Sequence, residues 1–140
     1  MEEVSARLIV DSSALVAFLS PDEEAHGWAR RTLGRCESAV LTCEAVLTES
    51  AFLLRRRPKG AAGLLALLAD GFIDLPFRLA DEVPAIRTLM TRYADVPMSL
   101  ADACLVRMSE LLPRWPVMTL DSDFKRYRRN RRQLIPLLMP

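Results

Sequence analysis

A chain of 140 residues, 51% apolar and 26% charged, is long enough to bury one real core and is neither disordered nor collagen-like in composition. Its formal net charge of +1 identifies no partner, so any electrostatic reading must rest on how charge is distributed. Cys36, Cys43 and Cys104 form no CxxC pair, which argues against a disulfide framework or a thiolate zinc site. The single histidine, His26, excludes a zinc site of two or more histidines and leaves a serine–histidine–aspartate triad no other base.

No apolar stretch is long enough to span a membrane, and Met1-Glu2-Glu3 is acidic where a secretory signal would be basic. The expectation is a cytoplasmic protein of one domain, residues 1–140, with no membrane association.

In chain order, Leu8-Ile9-Val10 reads as a buried strand ending at Asp11. Ser12-Ser13 forms a polar turn with a serine as helix cap, and Ala14 to Leu19 continues as helix. Ser20-Pro21-Asp22 opens a second helix to about Leu33, with Pro21 in its first turn and three acids at its positive end. Residues 39–42 form a short strand. Glu44 to Arg57 form a helix closed by Pro58, and Lys59-Gly60 starts another that stops near Gly71. Phe72 to Leu75 is a strand, residues 81–94 a helix, and Pro97-Met98-Ser99 caps a helix running to about Leu112. Residues 117–120 form a strand ending at Asp121, and Leu134 to Leu138 a last strand. Alternating strands and helices predict an α/β fold, with helices covering both faces of a central, mainly parallel sheet of about five strands.

Parallel sheets place their sites at the carboxyl ends of strands, where Asp11 and Asp121 fall. Glu49 and Asp102 are anomalous in a different way. At helical spacing the neighbours of Glu49 are Ala45, Val46, Phe52 and Leu53. Those of Asp102 are Met98, Ser99, Leu105 and Val106. Glu44 is rotated from Glu49 by roughly 140° and belongs to the helix start. Carboxylates on apolar faces need partners. One solution is tertiary ion pairs to arginine. The other is that Asp11, Glu49, Asp102 and Asp121 converge on a hard divalent cation, Mg²⁺ or Mn²⁺, which suits phosphodiester hydrolysis by a metal-activated water.

Four segments carry a family resemblance. Leu8-Ile9-Val10-Asp11-Ser12-Ser13-Ala14-Leu15 resembles the opening motif of the PIN-domain nucleases. Leu47-Thr48-Glu49-Ser50 and Met98-Ser99-Leu100-Ala101-Asp102-Ala103 resemble the second and third motifs, and Thr119-Leu120-Asp121-Ser122-Asp123-Phe124 the fourth. Their order along the chain is more specific than any one of them, and the single-domain size is similar to that of VapC-type toxins of toxin–antitoxin pairs. The resemblance implies a three-layer α/β/α sandwich and a Mg²⁺-dependent endoribonuclease with Asp11, Glu49, Asp102 and Asp121 as its acidic quartet. It implies support from Ser13 and Thr119, with Asp121 preferred as the fourth ligand and Asp123, two residues on, as an outer metal ligand or a helix cap. Ser99 stands where many relatives carry another acid, which weakens a second metal. A homodimer and a small antitoxin protein covering the active site are also implied by the resemblance.

Lys125, Arg126, Arg128, Arg129, Arg131 and Arg132 follow the fourth motif and are candidate RNA contacts, with Tyr127 among them as a base-stacking candidate. Arg55, Arg56, Arg57 and Lys59 are a second basic cluster. The N-terminal side chains Leu15, Phe18, Leu19 and Trp28 are numerous for a small core and would suit the interface that the resemblance implies, while ordinary core packing is the first reading for each of them. The alternatives are a non-catalytic PIN-like module that binds RNA or protein, and a phosphatase using Asp121 and Asp123 as paired aspartates.

Overall fold

The computed structural model describes residues 7–140, so the acidic Met1-Glu2-Glu3 start lies outside the described residues. In chain order the strands are β1 (Ile9–Val10), β2 (Val40–Leu41), β3 (Ile73–Asp74), β4 (Val117–Met118), β5 (Arg128–Arg129), β6 (Gln133–Leu134) and β7 (Leu137–Leu138). The helices are α1 (Ser12–Phe18), α2 (His26–Gly34), α3 (Glu44–Leu53), α4 (Gly60–Ala69), α5 (Val83–Arg92) and α6 (Leu100–Leu111).

Five strands form one parallel sheet in the order β3-β2-β1-β4-β7. Ile9, Val10, Val40, Val117 and Met118 are fully buried, as a sheet covered on both faces requires. With strand order β3-β2-β1-β4-β7, the right-handed crossover rule puts α1 to α4, between β1 and β3, on one face and α5 and α6, between β3 and β4, on the other. The expected α/β/α sandwich is thus observed. Strand order reverses beside β1, so β1 and β4 diverge into neighbouring connections at their carboxyl ends. A crevice opens there in folds of this kind.

Several local boundaries differ from the expectation. Asp11, not a serine, caps α1. The second helix begins only at His26, because Glu23 and His26 each bond to carbonyls three residues back. Asp22 and Glu23 in that segment pair with Arg57 instead of extending the helix. The stretch 134–138 splits in two. Pro136 has no N–H for a ladder, but its carbonyl accepts from Val117 and that of Leu138 from Thr119. The residues before Pro136 turn back as β6 against β5, Arg128 opposite Leu134. Asn130 and Arg131, at φ 48° and 73°, make that turn.

The apolar side chains near the N-terminus take the ordinary core packing. Leu15 is fully buried, and Phe18, Leu19 and Trp28 pack against the core. Phe18 stacks on Phe72 with ring centroids 5.6 Å apart. Exposed apolar residues lie elsewhere, including Phe52, Leu53 and Leu65. Among the described residues no helix is long and apolar enough to cross a membrane.

Candidate active site

Asp11 leaves the end of β1 almost wholly buried, 3% exposed. One carboxylate oxygen, Oδ1, accepts the backbone N–H of Ser12 at 2.6 Å. The other, Oδ2, accepts the hydroxyls of Thr119 at 2.6 Å and Ser13 at 3.0 Å. Burial pushes the Asp11 carboxyl above its usual range, these three bonds pull against that, and the nearby Glu49 charge adds to the rise.

Ser12 joins the first two acids. Its Oγ lies 2.8 Å from Glu49 Oε1 and 3.3 Å from Asp11 Oδ1. A hydroxyl has one proton to donate, and the shorter contact assigns it to Glu49. Asp11 Oδ1 then carries one hydrogen bond and retains an open lone pair. The sequence offers Ser12 as a turn or cap residue within the opening motif; its bridge to Glu49 depends on α3 lying alongside α1.

Thr119 joins the first and fourth motifs. While donating to Asp11, its Oγ1 accepts the N–H of Asp121 at 2.9 Å, and Ser13 Oγ accepts that of Leu120 at 2.9 Å. Ser13 and Thr119 thus each link the Asp11 carboxylate to the backbone that follows β4. Asp121 caps a short 3₁₀ helix, Ser122–Lys125, by accepting the N–H of Asp123 at 2.9 Å. The strand itself ends at Met118, so Asp121 stands on the turn after it.

Asp102 lies in the first turn of α6. Ser99 and Asp102 form a reciprocal capping box: Asp102 N–H donates to Ser99 Oγ at 3.0 Å, and Ser99 N–H to Asp102 Oδ2 at 3.4 Å. Ser99 is thus a helix cap. Tyr127 donates its hydroxyl to the same Oδ2 at 2.8 Å. Burial holds the Asp102 carboxyl above its usual range, with Tyr127 opposing and the Asp11 charge adding to the rise. Burial and the Asp102 charge hold the Tyr127 phenol protonated.

Glu49 is half-buried, while Phe52 and Leu53 beside it are exposed. The buried side of α3 is that of Val46 and Ser50, so Glu49 borders the core face instead of projecting from its centre. Among the described residues none of the four carboxylates is in an ion pair, which removes the tertiary-arginine explanation; their partners are hydroxyls and backbone N–H groups. Among the described residues, no three acidic, histidine or cysteine side chains stand at separations that would enclose a metal ion. An all-oxygen donor set with an open lone pair on Asp11 nevertheless suits Mg²⁺. That ion keeps much of its water and commonly binds proteins through one or two carboxylates. His26 Nδ1 lies 2.8 Å from the Ala17 carbonyl.

The basic run is only partly available to a ligand. Tyr127 is fully buried, which overturns base stacking. Arg128 Nη1 bonds the carbonyls of Lys125, Arg126 and Tyr127. Arg129 Nη1 bonds the carbonyls of Ser109 and Pro113 at 2.7 and 3.2 Å, tying the hairpin to the end of α6. Arg128 and Arg129, expected as RNA contacts, are thus engaged in holding the fold. Lys125, Arg126, Arg131 and Arg132 are exposed. In the second cluster, Arg57 pairs with Asp22 and Arg55 folds back on the Phe52 ring and carbonyl.

A five-stranded parallel sheet, with Asp11 at its switch point bridged to Glu49 through Ser12, defines an α/β protein. The PIN domain family model matches residues 8–130, and the chain belongs to that family. It is 28% identical over 116 residues to Ribonuclease VapC26 of Mycobacterium tuberculosis, covering 81% of this chain and 86% of that protein. Its fold is similar to the crystal structure of Mycobacterium tuberculosis VapC20, described as a sarcin–ricin loop cleaving toxin. The TM-score is 0.73 at 23% identity, over 83% of this chain and 91% of that one.

Proposed function

We propose that the protein is a Mg²⁺-dependent endoribonuclease and the toxin of a VapBC-type toxin–antitoxin pair. The observation that supports this reading is the hydrogen-bonded frame at the sheet's switch point, in which Ser12 bridges Asp11 and Glu49, Ser13 and Thr119 hold the Asp11 carboxylate, and Thr119 also accepts the backbone N–H of Asp121. Membership of the PIN family and likeness to a named ribonuclease support it.

In this reading Asp11 Oδ1 and Glu49 offer oxygen ligands, and Asp102 and Asp121 complete the acidic rim, with Asp123 behind. A divalent metal there would lower the pKa of a water and offset charge on the scissile phosphate. The buried frame fixes Asp11 in one orientation, so little reorganisation accompanies the reaction. Hydrolysis by water would leave 5′-phosphate and 3′-hydroxyl ends. Lys125 and Arg126, directly after Asp121 and Asp123, would contact the RNA backbone and offset repulsion from the acids. An acidic rim of this kind also suits inhibition by a small basic antitoxin segment, and the toxin would act as a homodimer in the cytoplasm.

The test is cleavage of a total-RNA pool by the purified protein. Mg²⁺ should enable cleavage and a chelator stop it. Asp11→Asn, which keeps the size of the side chain, should abolish cleavage with its circular dichroism unchanged. Chelator-resistant cleavage, or an active Asp11→Asn protein, would overturn the reading.

A further inference from the structure

The third acid of the cluster has a partner whose chemistry the nuclease reading does not use. Asp102 Oδ2 accepts two hydrogen bonds, and they are unequal. The Ser99 N–H lies at 3.4 Å, the Tyr127 hydroxyl at 2.8 Å. A bond of 3.4 Å is at the weak end of the range, so the phenol is the stronger constraint on the carboxylate.

The phenol is itself fixed from several sides. Its ring is fully buried and meets Phe124 and Tyr93 edge-on, with centroids 5.3 and 5.2 Å away. The Arg128 N–H, next in the chain, donates to the Tyr93 hydroxyl at 2.8 Å. Two residues further, Asn130 N–H donates to Glu110 Oε2 at 2.7 Å, and Glu110 lies on α6 as Asp102 does. The segment that carries Tyr127 is therefore fastened to the helix whose opposite end carries Asp102. It also begins at Asp121 and Asp123, so one hydrogen-bonded segment connects the third acid to the fourth.

We propose that Tyr127 is a positioning residue for the metal-binding carboxylate of Asp102, a role that rests on the nuclease reading above. By occupying Oδ2, it leaves Oδ1 as the atom presented to a cation. A buried tyrosine hydroxyl requires a partner, and outer hydrogen-bond partners of metal-ligating carboxylates set both their orientation and their affinity.

Tyr127→Phe deletes only the hydroxyl and keeps the ring. Mn²⁺ binding, measured by electron paramagnetic resonance without RNA, should weaken about tenfold. The value of kcat should fall with it, KM for RNA should hold, and the melting curve should stay cooperative. In an Asp102→Asn background the same substitution should change Mn²⁺ binding no further. Wild-type protein that neither binds Mn²⁺ nor cleaves RNA would overturn the nuclease reading as well. Wild-type protein that does both, with Tyr127→Phe equal to it, would overturn the role of Tyr127 alone.

A second measurement does not depend on that variant folding. The chain has two tyrosines, so ¹³Cζ-tyrosine labelling gives two phenol signals, assigned with Tyr93→Phe. The Tyr127 signal should move on adding Mg²⁺ and again in Asp102→Asn. A signal indifferent to both would overturn the assignment.

Discussion

Thr119→Val isolates the frame around Asp11. Valine replaces the hydroxyl by a methyl of nearly the same volume, so a fully buried site stays filled. Two bonds are lost: the 2.6 Å donation to Asp11 Oδ2 and the 2.9 Å acceptance from Asp121 N–H. The first is a bond to a buried charged group, worth roughly 1.5–3 kcal/mol. The second leaves the Asp121 N–H facing a methyl where a fully buried acceptor stood, a further loss. A net loss of about 3 kcal/mol, at an unfolding entropy of ~2.1 cal/mol/K per residue over 140 residues, lowers Tm by about 10 °C. Thr119→Ser is the control. It keeps both bonds and removes one buried methyl, about 1 kcal/mol. Urea denaturation and RNA cleavage are measured on both. The valine variant should lose most of its activity and the serine variant little, although both are destabilised. Equal activity in the two variants would refute the claim that this hydroxyl orients Asp11.

The pH dependence of stability has a sign set by burial. Asp11 and Asp102 titrate near 3.8 when unfolded and higher when folded. Between those values the native state holds more protons than the unfolded one. Their contribution to stability is therefore fullest below 3.8 and is lost as pH rises through the folded values. With chelator present, Asp11→Asn should be more stable than wild type at neutral pH, and the difference should shrink toward acid; a difference that grows toward acid would contradict this. Replacing Lys125 and Arg126 together by alanine should raise KM for RNA and flatten the salt dependence of binding by a log–log slope of about 1.4, for two phosphate contacts on a single strand. An unchanged slope in a filter-binding titration would remove both residues from the RNA surface.

The alternation of apolar runs with helical stretches was sufficient for the α/β/α fold, because strands buried on both faces must be continuously apolar. Asp11 is legible at a strand end for the same local reason, and Asp102 is legible as an oddity in an apolar helix. The sequence also showed Ser13 and Thr119 beside the acids through their family motifs.

What the sequence could not supply is partnership across the fold. Ser12 lies 37 residues from Glu49 and Tyr127 25 residues from Asp102; no local pattern encodes either contact. The run from Lys125 to Arg132 looks like one basic surface because arginines are charged wherever they stand. Only tertiary structure separates its exposed members from Arg128 and Arg129, whose guanidinium groups are engaged by backbone carbonyls. Asn130, a residue tolerant of the left-handed conformation, was the one local sign that this run turns back on itself. The same limit applies to the acids. Local sequence determined which residues carry charge, while tertiary packing around the switch point decided which hydroxyls hold Asp11, Glu49 and Asp102.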